Sequence, residues 1–203
     1  MGKKLIAVLL CSALSVCALT ACGSTETGNE GSSSTAVVLE EGKFDLDAVR
    51  NSVNIKGYKF TIPQTLAQLD DGLKYEFVDE EFDDGLYEVN ISDKNGVILR
   101  TIVRNAHKKS KKAELYNISV DSSDSNVAGI VPHTSTKDDV LRQFGEPDNI
   151  KKSDSDNSDE IYRYGEFGYT EKYDFQHPGN FITISFDQSG IAQTIVVSYS
   201  EKE

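Results

Sequence analysis

Thr134-Ser135-Thr136-Lys137-Asp138-Asp139-Val140-Leu141-Arg142-Gln143-Phe144-Gly145-Glu146-Pro147-Asp148 is the stretch that decides the fold. Its three leading hydroxyl residues offer oxygens to the unpaired N–H groups of a first helical turn. Asp138 and Asp139 place negative charge where the helix macrodipole is positive. Val140, Leu141 and Phe144 form one apolar face. Gly145 permits the reversal that ends a helix, and Pro147 opposes a restart. A short helix with one apolar face needs a layer to cover, and strand candidates follow. They are residues 160–165, 169–176, 181–187 and 191–199. Ile182, Ile184 and Phe186 share a face in the third. Ile191, Ile195, Val197 and Tyr199 share one in the fourth, with Gln193 among them. Gln188-Ser189-Gly190 joins these two as a hairpin.

The preceding half carries the same order of signals. Residues 44–52 suit a short helix, and residues 53–62 suit a hairpin turning at Lys56-Gly57. Thr61 to Gly72 predicts a helix of about two turns. Thr61 would be the cap, Gln64 its capping-box partner, Pro63 a first-turn residue, Leu66 and Leu69 the buried face, and Gly72 the stop. Residues 86–92 and 97–104 flank Asp93-Lys94-Asn95-Gly96, whose Asn-Gly is a strong hairpin signal. A further strand is expected over 114–120, after the basic link from His107 to Lys112.

Helix then strands therefore occurs twice. Leu69 and Phe144 lie 75 residues apart, and Gly72 and Gly145 lie 73 apart. The match is one of pattern, not of identity. The expected class is α+β: two helix-plus-antiparallel-strand units sharing a helix-on-sheet layer, residues 43–125 and 126–203. The segment 136–148 resembles the helix motif of SmpA/OmlA (BamE-like) lipoproteins, roughly G-T-K-x-[DE]-V-x-x-x-[LF]-G-x-P-x. Tandem copies of that unit occur in β-lactamase inhibitor protein (BLIP)-like domains. His133-Thr134-Ser135 stands where the family has a Gly-Met lead-in, and the first half lacks the Gly-x-Pro ending. The resemblance implies a tandem fold and a non-enzymatic role, because the motif residues are cap, apolar face, stop and exit.

The N-terminus gives an address. Lys3 and Lys4 precede an apolar run from Leu5 to Leu19 that only Ser12 and Ser15 interrupt, and Leu19-Thr20-Ala21-Cys22 follows. A basic start, a short apolar core and small residues at the cut mark a secretory signal, residues 1–21. The run is shorter than the ~20 residues of a membrane span. Its ending resembles the lipobox of bacterial lipoproteins. That resemblance implies a diacylglyceryl group on Cys22 and cleavage before it, so the expected place is the outer face of the cell membrane, or the outer membrane in a two-membrane organism. Residues 22–42 have the Gly, Ser, Thr and Glu of a tether.

Composition narrows the chemistry. Cys11 and Cys17 leave with the signal, so the exported chain has neither disulfide nor cysteine metal site. The net charge is −12, and removing Lys3 and Lys4 makes it −14. Nucleic acid is therefore not an expected partner. His107, His133 and His177 lack metal-ligand spacing. Asp154 to Glu160 looks like the start of a calcium loop but has Asp159 at the sixth position and Gly165 at the twelfth, so it is read as a solvated acidic loop. No catalytic residue, metal or cofactor is expected. Two surfaces remain. Lys108, Lys109, Lys111 and Lys112 could touch anionic polymer or phospholipid. Tyr162, Tyr164, Phe167, Tyr169 and Tyr173 could form a binding face if a sheet leaves them exposed. The functional expectation is an anchored interaction module of the envelope with a protein partner. A BLIP-like inhibitor of a secreted enzyme is the first alternative, and an envelope hydrolase the second.

Overall fold

Helix α1 (Leu46–Arg50) is the first regular element of the described residues, with Asp45 Oδ1 accepting from the Ala48 N–H at 3.1 Å. The computed structural model describes residues 39–83, 85–106, 109–152, 160–166 and 179–200. After α1, strands β1 (Val53–Ile55) and β2 (Tyr58–Phe60) form the expected hairpin. Lys56 and Gly57 have φ of 51° and 90°, which suits the right-handed twist of a two-residue turn.

The helix expected over Thr61–Gly72 does not form. Gln64 and Thr65 make a two-residue strand, β3, and Leu66–Gln68 is a single 3-10 turn. Gln64 Oε1 does accept from the Thr61 N–H, at 3.0 Å, but its Nε2 donates to the Gln68 carbonyl and Gln64 pairs with Leu115. Tertiary pairing thus outweighs the local helix signal. The capping box reappears four residues later, where Gln68 Oε1 takes the Thr65 N–H at 2.9 Å.

Two five-stranded antiparallel sheets and a three-stranded sheet follow. In the first five-stranded sheet β4 (Lys74–Asp83), β5 (Leu86–Asp93), β6 (Gly96–Arg104) and β7 (Glu114–Leu115) make a meander, and β3 closes it beside β7. In the second, β10 (Asn149–Lys152), β11 (Glu160–Glu166), β12 (Asn180–Phe186) and β13 (Ala192–Ser198) make a meander, and β8 (Asn117–Val120) closes it beside β13. The connectivity is the same in both: a strand, a helical turn, four meander strands, with the first strand paired to the last. Strand β9 (Asn126–Val127) joins β1 in the small sheet. Fold class is therefore sheet-rich and mixed.

Residues 114–120 are not one strand. Leu115, Tyr116, Asn117 and Ile118 are all buried, and the chain changes sheet at Tyr116. The Thr101 hydroxyl on β6 donates to the Asn117 carbonyl on β8 at 2.6 Å, which ties the two sheets at this crossing. The Arg104 guanidinium lies 5.4 Å from the Tyr116 ring and 5.3 Å from the Tyr199 ring, and pairs with Glu114 at 2.7 Å. One hydrophobic cluster collects the inward residues of both sheets, including Val89, Ile91 and Leu99 from the first and Ile182, Ile184 and Ile195 from the second.

Helix α2 (Lys137–Phe144) matches its sequence signals closely. Thr136 Oγ1 accepts from the Asp139 N–H at 3.1 Å, and Asp139 Oδ2 accepts the Thr136 N–H at 2.8 Å, a closed capping box. Val140 and Phe144 are buried. At the other end Gly145 has φ 75° and ψ −163°, a region that only glycine occupies readily. A Cβ there would also stand 2.6 Å from the Gly42 carbonyl oxygen. Gly145→Ala is expected to lower stability by about 1–3 kcal/mol, measured by urea unfolding. A change within error would show that the Gly42 strand of chain yields freely.

Candidate functional site

The chain entering the domain is fastened to the end of α2. Gly42 N–H donates to the Gln143 carbonyl at 3.2 Å, and Glu41 pairs with Arg142 at 3.4 Å. Phe44 packs against Phe144 and Tyr164, with ring centroids 6.0 and 5.0 Å away. Tyr164 O–H donates to the Gly145 carbonyl at 3.0 Å, so helix, entering chain and β11 meet at one aromatic cluster. Residues 39–42, assigned to the tether by composition, thus belong to the fold.

This cluster corrects the aromatic binding face. Tyr162 and Tyr164 do share a face, as period-two spacing requires, but that face is the core: they are 6% and 1% exposed. Tyr162 packs edge-on against Phe186, with ring centroids 4.7 Å apart. Burial pushes the Tyr164 hydroxyl well above the usual phenol range, which keeps it a hydrogen-bond donor. Phe167, Tyr169 and Tyr173 lie outside the described residues, as do Cys22, Lys108, His107, His177 and residues 153–159. Lys109, Lys111 and Lys112 are exposed, and Lys109 Nζ sits 5.8 Å from the Tyr87 ring centre.

His133 has φ 59°, and its ring nitrogens lie 2.9 Å from Gln193 Oε1 and 2.8 Å from the Asp121 carbonyl oxygen. Gln193 leaves the expected alternation because the pairing of β12 and β13 slips by one residue at Ser185/Phe186. Its Nε2 bonds Asp187 Oδ2 at 3.0 Å. Among the described residues no group of three or more His, Cys, Asp or Glu could hold a metal, and no helix is long and apolar enough to cross a membrane.

Among the described residues, every carboxyl that is clearly shifted has a structural partner. The Thr136 backbone N–H, then its hydroxyl and Arg142, hold Asp139 below the usual range. A hydrogen bond from Lys137 holds Glu160 down, and one from Arg100 holds Glu88 down. The Ser189 hydroxyl and then the Ile191 N–H do the same for Asp187. Depressed values in the folded state mean that the unfolded chain binds more protons. The stability these groups contribute is complete above the ordinary carboxylate range and is lost as pH falls through their folded values. The melting temperature should therefore drop below about pH 4, and Asp139→Asn should make that drop shallower. A melting temperature independent of acid would contradict the assignment.

Sequence reasoning missed two concavities. One, about 530 Å³, is lined by Asp45, Asp47, Arg50, Asn180 and Tyr199 among others. There Arg50 Nη1 donates to Asn180 Oδ1 at 3.1 Å and its guanidinium lies 4.7 Å from the Tyr199 ring centre. The other, about 400 Å³, is lined by Lys137, Lys152, Glu160, Asp187 and Gln188. Residues more than a hundred positions apart make the first, so no local signal announces it. No protein-family profile, characterised protein or solved structure matches the chain.

Proposed function

We propose that this chain is a lipid-anchored, extracytoplasmic interaction module of the cell envelope, held on the outer face of the membrane through Cys22 and binding a protein partner. The observation that carries it is the fastening of residues 39–44 onto α2. A sheet-rich domain begins there, a short polar stretch after a lipobox-like Cys22, and the entering chain is gripped where an anchor would pull. The matching strand orders of the two larger sheets support the finer reading, a tandem of two SmpA/OmlA-like units in the BLIP manner, each a helical turn laid on a sheet. The shifted carboxyls support a scaffold, since each is engaged by a cap, a turn or an ion pair.

The test is cross-linking of the full chain in intact cells, followed by purification from detergent-solubilised envelope. An envelope assembly or wall component at fixed stoichiometry is the expected result. A single stoichiometric enzyme whose activity falls on binding would replace the module by an inhibitor. Hydrolysis of peptidoglycan or ester substrates by the purified chain would overturn both.

A further inference from the structure

Among the described residues, β10 is the sheet edge left open. It pairs with β11 on one side and ends the strand order of its sheet on the other. The other edges differ from it: in the small sheet β2 has three residues and β9 has two. Strand β3 has two residues, β8 lies against β6 through the Thr101 bond, and β4 carries five acids in ten residues and a register shift between Val78 and Asp83. Short, charged or bulged edges resist pairing with another chain. Strand β10 has four residues, all exposed, with no register shift, and its charges are two lysines, which disfavour a like or basic edge but not an acidic one.

Its register explains what an added strand would meet. Ile150 stands opposite Tyr162, on the face that forms the core one strand further in, yet Ile150 is 49% exposed against 6% for Tyr162. The apolar layer thus stops one strand short of the edge. Lys152 stands opposite Glu160, on the same face as Ile150, but the Glu160 carboxylate is taken by Lys137. Lys151 points to the other face by alternation. The edge thus carries one lysine on each face, on a chain of charge −12.

We propose that β10 is a docking edge for an extended acidic segment of a partner protein, which adds as a sixth strand and sets an apolar side chain on Ile150. Main-chain hydrogen bonds would supply affinity and alternate side chains the selectivity. In antiparallel addition the residues opposite Lys152, Lys151 and Ile150 come in that order, so the recognised pattern is acid, acid, apolar. The inference rests on the interaction-module reading and names its surface.

The test uses the full chain in detergent and a labelled, end-blocked peptide, Thr-Glu-Glu-Val-Thr-Val, with its Thr-Lys-Lys-Val-Thr-Val counterpart. Saturable binding of the acidic peptide alone is expected, weakened by high salt. Reversing both contacts with Lys151→Glu/Lys152→Glu should weaken it about tenfold. Ile150→Ser, which keeps the lysines, should weaken it as well. Amide exchange should slow in β10 on binding. The proposal is overturned if the acidic peptide does not bind, if charge reversal leaves binding unchanged, or if the lysines retain the chain on anionic vesicles while the peptide goes unbound. Such a failure leaves the module reading standing, because that reading is decided by cross-linking in cells.

Discussion

Phe144→Ala should lower the unfolding free energy by about 3–5 kcal/mol, a large part of the roughly 5–15 kcal/mol that holds a domain together. Phe144 is 1% exposed, and its ring meets Phe44 at 6.0 Å and Tyr164 at 5.6 Å, both edge-on. Truncation removes the ring from water-free packing and leaves a void between Phe44 and Tyr164. The same ring holds the entering chain, so the effect should show locally too. Phe44 would keep Tyr164 but lose its second partner, and the peptide bond after Lys43 should open to trypsin sooner than in the parent chain. Phe144→Leu, which keeps most of the volume, should cost less than half as much. A loss under about 1 kcal/mol for Phe144→Ala, the size of an ordinary substitution, would mean that α2 is not fastened as described.

That helix was legible because its determinants are local. Cap, first-turn acids, apolar face and glycine stop all lie within Thr136–Gly145. The β5–β6 hairpin was legible for a similar reason, with Asp93 Oδ1 accepting the Asn95 and Gly96 N–H groups at 2.7 and 3.1 Å. Thr61–Gly72 carried equally good local signals and failed. There the backbone of Gln64 and Thr65 found partners on β7, and local preference gave way to a non-local ladder.

Strands β4 and β10 were invisible for the opposite reason. In β4 the alternation is brief, Tyr75 and Phe77 before an acid-rich run, and Asn149-Ile150-Lys151-Lys152 has none; each is a strand because its neighbour pairs with it. Tyr162 and Tyr164 show the remaining limit. Alternation places two residues on one face but does not say whether that face meets water or the core; Phe144 covers Tyr164 and Phe186 covers Tyr162, both from distant points of the chain. The candidate edge at β10 inherits both difficulties, since its meaning depends on where the apolar layer stops.

Cys22→Ala should move the protein from the membrane fraction to the soluble one almost completely. On the proposed reading the anchor is a pair of acyl chains, and each buried methylene contributes about 0.8 kcal/mol. One chain gives only reversible attachment while two give a stable anchor, so losing the sulfur that carries the diacylglyceryl group removes the greater part of the binding at once. Mass spectrometry of the parent should find a chain beginning at Cys22 and heavier than its sequence by a diacylglyceryl group. Cys11→Ala and Cys17→Ala should change neither the mature mass nor fractionation, because on the proposed reading both residues leave with the signal. Cys22→Ser separates chemistry from polarity, since a hydroxyl cannot form the thioether, and it should behave as Cys22→Ala does. Unfolding of the soluble variant should match the parent, because Cys22 lies outside the region from Leu39 onward that builds the core. Retention of Cys22→Ala in the membrane with an unmodified parent mass would remove the anchor. The fastening of Gly42 and Phe44 to α2 would then be an ordinary feature of packing and would bear no load.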